Sequence, residues 1–176
     1  MGLTLLVSCT GGRGVRIRVD EGTLMIVPVA EDAIRVRLVP DDAAPLEELV
    51  FTEKVPAPKY RVKKENGNTI LSTGKMSVAY ESRTGTVVFK DADGKELLSQ
   101  RRQSLRPAEV QGSPAYEAEV AFHSPEGEHL YGTGQFQDGY LDIRGLTRRL
   151  TQVNTQISVP MILSSRATAF SGTTTA

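Results

Sequence analysis

The chain has 176 residues, 39% of them hydrophobic and 24% charged, which is enough for one well-buried soluble domain and leaves no room for a second, catalytic one. Lys plus Arg and Asp plus Glu number 21 each, so no net field draws in nucleic acid or anionic lipid, whereas neutral ligands such as sugars are not excluded. The single cysteine rules out an internal disulfide framework or a cysteine cluster for zinc, and the absence of Trp removes the usual stacking platform of a stand-alone carbohydrate-binding module.

Near the start, Leu6-Val7-Ser8-Cys9 has the shape of a bacterial lipobox, an apolar residue and small residues ahead of a cysteine that becomes lipidated. On that reading residues 1–10 are the remnant of a lipoprotein signal peptide, Cys9 carries the lipid, and the protein is periplasmic or an outer-membrane lipoprotein of a Gram-negative bacterium. On the other reading the stretch is an apolar strand start with a buried Cys9, and the protein is cytoplasmic. A basic segment is missing ahead of Cys9 and the apolar run is short, which keeps both readings open. No transmembrane segment is predicted.

From Gly11 onward, short runs alternate apolar and polar residues. Val15, Ile17 and Val19 share one face with Arg16 and Arg18 on the other, the pattern of a half-buried strand. Leu24 to Val29 and Ala33 to Val39 repeat it, and Pro40-Asp41-Asp42 ends it. The segment 41–58 reads as a loop with one helical turn around Pro45 to Val50. Strands resume at Tyr60 and follow at Thr69 to Ser72, Lys75 to Glu81 and Thr86 to Lys90, with turns at Asn66-Gly67-Asn68, Thr73-Gly74 and Arg83-Thr84-Gly85. Asp91-Ala92-Asp93-Gly94 is a further hairpin turn. This spacing predicts an all-β fold, an antiparallel β-sandwich with little or no helix, rather than a parallel α/β sheet.

Several groups imitate chemistry. Asp91 and Asp93 lack the remaining oxygen ligands of a calcium loop, and no other metal site is predicted. His123 and His129 have no carboxylate pattern that would make them ligands or an acid/base pair. Gly132-Thr133-Gly134 is followed by no helix and is not a dinucleotide fingerprint, and no other cofactor site is predicted. Arg101-Arg102 and Arg148-Arg149 read as solvated sheet faces rather than phosphate sites.

The stretch 128–166 is glycine-punctuated, with Gly132, Gly134, Gly139 and Gly145 between apolar and aromatic residues, which suits short strands with positive-φ turns. Its segments YGTGQFQDG, LDIRG and QVNTQISVPMILSSR resemble the end of the N-terminal β-sandwich of glycoside hydrolase family 31, the α-glucosidases, α-xylosidases and α-transglucosidases. Tyr131, Gly132, Gly134, Gln135, Asn154, Val159, Pro160, Ser165 and Arg166 stand where that family has them, and Thr133 replaces its Leu. The passage TGKMSVAYESRTGTVVFKDADGKELL and the strand RVRLVP resemble the same family in the same order.

The resemblance implies a galactose-mutarotase-like sandwich over residues 11–166, packed in the parent enzyme against a catalytic (β/α)8 barrel. It implies that a loop here, Gln135, Phe136, Gln137 and Asp138, reaches the cleft that binds the parent's oligosaccharide substrate, with Phe136 as an apolar wall and Gln137 and Asp138 bonding sugar hydroxyls. Fillers of the core and a plain Asp138-Gly139 turn are the alternative. The retaining reaction needs two carboxylates, which in this family are barrel aspartates, so no catalytic residue is expected in this chain, and the chain alone is expected to be inactive. The function expected is that of a non-catalytic N-terminal domain supporting the barrel of an α-xylosidase or α-glucosidase. The alternatives are a free-standing carbohydrate-binding or scaffolding sandwich and a small mutarotase-like enzyme. Beyond Arg166 the tail ATAFSGTTTA departs from the family's GYGFLWDNYS. That continuation, read with one nucleotide removed, allows every residue of the tail, so residues 167–176 are expected to be an out-of-frame tail with a frayed, little-buried end.

Overall fold

The structure, a computed structural model, describes residues 13–43 and 56–172; Cys9, the segment 1–10, the turn at Pro45 to Val50 and residues 173–176 lie outside the described residues. Among the described residues the chain forms twelve strands and no helix, all pairing antiparallel. They divide into two compact units, split after Phe122.

The first unit holds two sheets. One is three-stranded: β1 (Val15–Val19), β2 (Gly22–Ala30) and β3 (Ala33–Val39) in chain order. The other is six-stranded and also in chain order: β4 (Arg61–Glu65), β5 (Asn68–Ser72), β6 (Met76–Glu81), β7 (Thr86–Asp91), β8 (Glu96–Val110) and β9 (Ser113–Phe122). Register explains the core. Ile17 pairs with Leu24 and Val15 with Ile26, so the apolar members of the alternation fall on one face. That face meets Leu71, Val78, Tyr80 and Val87 of the larger sheet in one cluster, with Ile17, Leu24, Ile26, Leu71 and Val78 fully buried. A single-residue slip of β1 would turn Arg16 and Arg18 inward, which is why one register wins.

The expected strands are present, several at the predicted residues. The passage after Gly94, to which alternation assigned no strand, forms the longest hairpin among the described residues. β7 pairs with β8 only as far as Ser99; beyond it, β8 and β9 run on as a two-stranded ribbon to a turn at Gln111 and Gly112. Gln100 marks the divergence, its Oε1 accepting the Val87 amide at 3.0 Å where the ladder stops. Pro107 falls where β8 has a neighbour on one side only, so its missing N–H costs no ladder bond. Arg102 to Glu119 and Arg106 to Glu117 pair across the ribbon.

The second unit contains β10 (Leu130–Gln135), β11 (Ile157–Ser164) and β12 (Thr168–Ser171), with β11 in the middle. Residues 168–171 of the expected tail are mostly exposed, as expected, but are paired in β12 rather than frayed. Ala167 turns the chain with φ 60, and Ile162 and Leu163 pair with Phe170 and Ala169 along the free side of β11.

Candidate functional site

The glycine-punctuated unit is built on one irregularity. Gly132, Thr133 and Gly134 all have positive φ, at 114, 66 and 102 degrees, and the β10–β11 register jumps from Gly132 opposite Ile162 to Gly134 opposite Ser158. Val159 to Met161 therefore bulge against Thr133 alone, and Pro160 occupies a place where no N–H is asked of it. A Cβ at position 134 would lie 2.1 Å from the Ile157 carbonyl oxygen, so only glycine fits. Thr133 is a β-branched residue held in the left-handed region, a strained conformation that persists only where its surroundings impose it.

Arg148 supplies those surroundings. Its side chain is only 10% exposed. Nη1 donates to the Gly132 carbonyl at 3.2 Å and to Thr133 Oγ1 at 2.8 Å, and Nη2 donates to both oxygens of Asp138 at 2.8 and 2.6 Å. The guanidinium carbon lies 4.5 Å from the centre of the Phe136 ring. Nε is buried without a hydrogen-bond partner among the described residues, a cost of about 1–3 kcal/mol that the other contacts must offset. Sequence reading placed Arg148 on a solvated sheet face; the structure instead makes it the buried centre of this loop, while its neighbour Arg149 is exposed.

The candidate cleft residues thus differ among themselves. Phe136 is half-buried under the guanidinium and Asp138 has both oxygens engaged. Gln135 and Gln137 are exposed. Asp138 Oδ1 also accepts the Tyr140 amide at 3.2 Å, an Asx turn completed by Gly139 at φ 76. It leaves Tyr140 61% and Leu141 79% exposed.

A second polar centre ties the loop's far end to β10. Asp142 Oδ1 accepts the amides of Leu130 and Arg144, both at 3.0 Å, and Oδ2 lies 2.6 Å from His129 Nδ1. These contacts hold the Asp142 carboxyl at about 2, the His129 bond contributing most. An ionised carboxylate only accepts, so Nδ1 carries the proton. Buried Glu128 accepts Ser164 Oγ at 2.6 Å and Ser124 Oγ at 2.9 Å. His129 therefore does have a carboxylate partner, thirteen residues on, at a separation no sequence motif signals. All three carboxylates here accept from fixed donors, an arrangement that orders backbone and does not present a free acid or base. No group of three or more His, Cys, Asp or Glu that could hold a metal ion occurs among the described residues.

Comparison with known proteins decides the family. The glycosyl hydrolase 31 N-terminal galactose mutarotase-like domain matches residues 23–169. The chain belongs to that family. Similar proteins include an α-xylosidase of Saccharolobus solfataricus, 32% identical over 105 residues, covering 54% of this chain and 14% of that one. Another is an uncharacterized family 31 glucosidase of Pseudescherichia vulneris, 46% identical over 50 residues, covering 28% and 10%. Among solved structures, the family 31 α-xylosidase of Xanthomonas citri superposes with a TM-score of 0.76 at 29% identity, covering 94% of this chain and 17% of that one. A soil-metagenome α-xylosidase complexed with xylose gives 0.76 at 25% identity, covering 86% and 25%. The chain thus spans about a tenth to a quarter of the length of these relatives.

As a family 31 N-terminal domain, the chain places its signature residues at the irregular points of the second unit. Tyr131, Gly132 and Gly134 form β10 and its distortion; Asn154 is in the turn closed by the Val153–Gln156 bridge; Val159 and Pro160 are in the bulge; Ser165 receives the His129 amide at 3.0 Å; and the Arg166 amide donates to Ser164 Oγ at 3.0 Å.

Proposed function

We propose that this chain is the non-catalytic N-terminal sandwich of an α-xylosidase-like enzyme, supporting the catalytic barrel and lending the loop around Gln135 to Asp138 to the substrate cleft. The observation carrying this reading is the apolar stripe on β11. Ile157, Val159, Met161 and Leu163 recur at every second residue and remain 51%, 42%, 39% and 45% exposed. The bulge at Val159 to Met161 interrupts the regular pleat, yet four large apolar side chains left exposed within eight residues mark a surface that another body covers. The relatives extend far beyond the matched region, and the body that fits is their remainder, in which a (β/α)8 barrel is expected.

The test is hydrolysis of 4-nitrophenyl α-xyloside by the chain with and without the barrel of a family 31 α-xylosidase supplied in trans. Activity is expected only with the barrel, reduced by Val159→Asp. Titration of the chain alone with xyloglucan oligosaccharides is expected to give millimolar or no binding. Micromolar binding, about −8 kcal/mol, would favour the free-standing carbohydrate-binding sandwich instead.

A further inference from the structure

We propose that Arg148 is the positioning residue of the cleft loop, and that it turns outward Tyr140 and Leu141, rather than Phe136 and Asp138, as the side chains that meet a carbohydrate. This inference rests on the reading of the loop as part of the cleft and deepens it. A guanidinium withdrawn from water is retained only where charge-assisted bonds with good geometry compensate. Here they run to both ends of one loop: Gly132 and Thr133 on β10, and Asp138 at the turn. The loop is clamped across its neck. Thr133, the residue that departs from the family's Leu, provides the hydroxyl that accepts from Nη1, a bond a leucine side chain has no atom to make.

Phe136 and Asp138 face the guanidinium and are committed to it. The Asx turn that Asp138 caps then reverses the chain and sends the next two side chains out. Tyr140 and Leu141 are the most exposed large apolar side chains among the described residues. In a chain without Trp, an exposed tyrosine ring is the flat apolar face available for the C–H surface of a sugar, with its hydroxyl free to bond.

The absence of Trp also supplies the probe. Tyr140→Trp, made in the full chain, places a single indole on the loop. With Arg148 intact, its fluorescence anisotropy is expected to be that of a fixed side chain. Adding Arg148→Lys, which keeps the charge but loses the fork, is expected to drop the anisotropy and to speed amide exchange at residues 137–142 by about tenfold or more, with β5 to β7 unchanged. Thr133→Val, which removes only the hydroxyl, is expected to give a smaller change of the same kind, and guards against misfolding of the lysine variant. Xyloglucan heptasaccharide at millimolar concentration is expected to shift the indole emission when Arg148 is present and not when it is lysine. Loop exchange and anisotropy that stay within about twofold in Arg148→Lys would overturn the positioning role. A loop that loosens in Arg148→Lys, with no emission shift in either background, would leave the clamp standing and overturn the contact role of Tyr140, while the cleft reading is decided separately by the activity assay with the barrel in trans.

Discussion

The two units of this chain are ordered by opposite means. In the sandwich, eight apolar residues from five strands make one buried cluster, and each fully buried Leu or Ile contributes about 1.5–3 kcal/mol through its transfer from water. Among the described residues of the glycine-punctuated unit the only buried large apolar side chain is Ile143, while Glu128 and Thr133 are also buried and most large apolar side chains are exposed. That unit is held at points: Arg148 at one end of the loop, Asp142 and Glu128 at the other. Each such bond adds little net, because it replaces bonds to water, but a buried partner left unpaired costs more than the bond gained. The sandwich should therefore fail as a whole when volume is removed, and the second unit should fail locally when one partner is removed.

The largest effect is expected from Leu24→Ala, which empties a fully buried position and should lower unfolding free energy by about 2–5 kcal/mol in urea titration, with every strand of the first unit losing exchange protection together. If the loss stays within β2, the sandwich is not the cooperative body described.

A smaller and more local effect is expected from Gly134→Ala. Its Cβ meets the Ile157 carbonyl and its φ of 102 degrees is unfavourable to any side chain, a strain of about 1–3 kcal/mol. Amides of β10 and β11 should exchange faster while β5 to β7 keep their protection; loss in both sets would erase the distinction between the units.

The smallest effect is a pH dependence. Asp142 titrates at about 2 when folded, below the ordinary value of about 3.9, so its contribution is present above that ordinary value and is lost as pH falls from about 5 towards 2. After correction for intrinsic exchange, the Leu130 and Arg144 amides should lose protection over that window, and Asp142→Asn should flatten the profile. A wild-type profile already flat there would remove Asp142 from the list of anchors.

The same contrast explains what could be read from the sequence. Alternation located β1 and β3 residue for residue, because burial of one sheet face leaves a period-two record. It was silent on the β8–β9 ribbon, where burial is slight, Pro107 interrupts the pattern and register is kept by cross-strand pairs such as Arg106 with Glu117. Glycines 132, 134, 139 and 145 signalled positive φ correctly, since that property belongs to the residue itself. The partnership of Arg148 with Asp138, or of His129 with Asp142, belongs to no single residue and has no spacing rule. The family resemblance identified the stretch, and only the fold shows which of its side chains hold the loop and which leave it.

The first strand of the six-stranded sheet, β4, is exposed at all five positions and reads Arg-Val-Lys-Lys-Glu. Among the described residues its outer side is one rim of the sheet, a row of backbone donors and acceptors that another chain's strand would complete. An incoming strand would have to strip water from Lys63 and Lys64 and crowd a long ammonium side chain on either face. The rim thus works as a guard against edge-to-edge polymerisation, set at the edge of the six-stranded sheet, where a template for cross-β growth would be most dangerous.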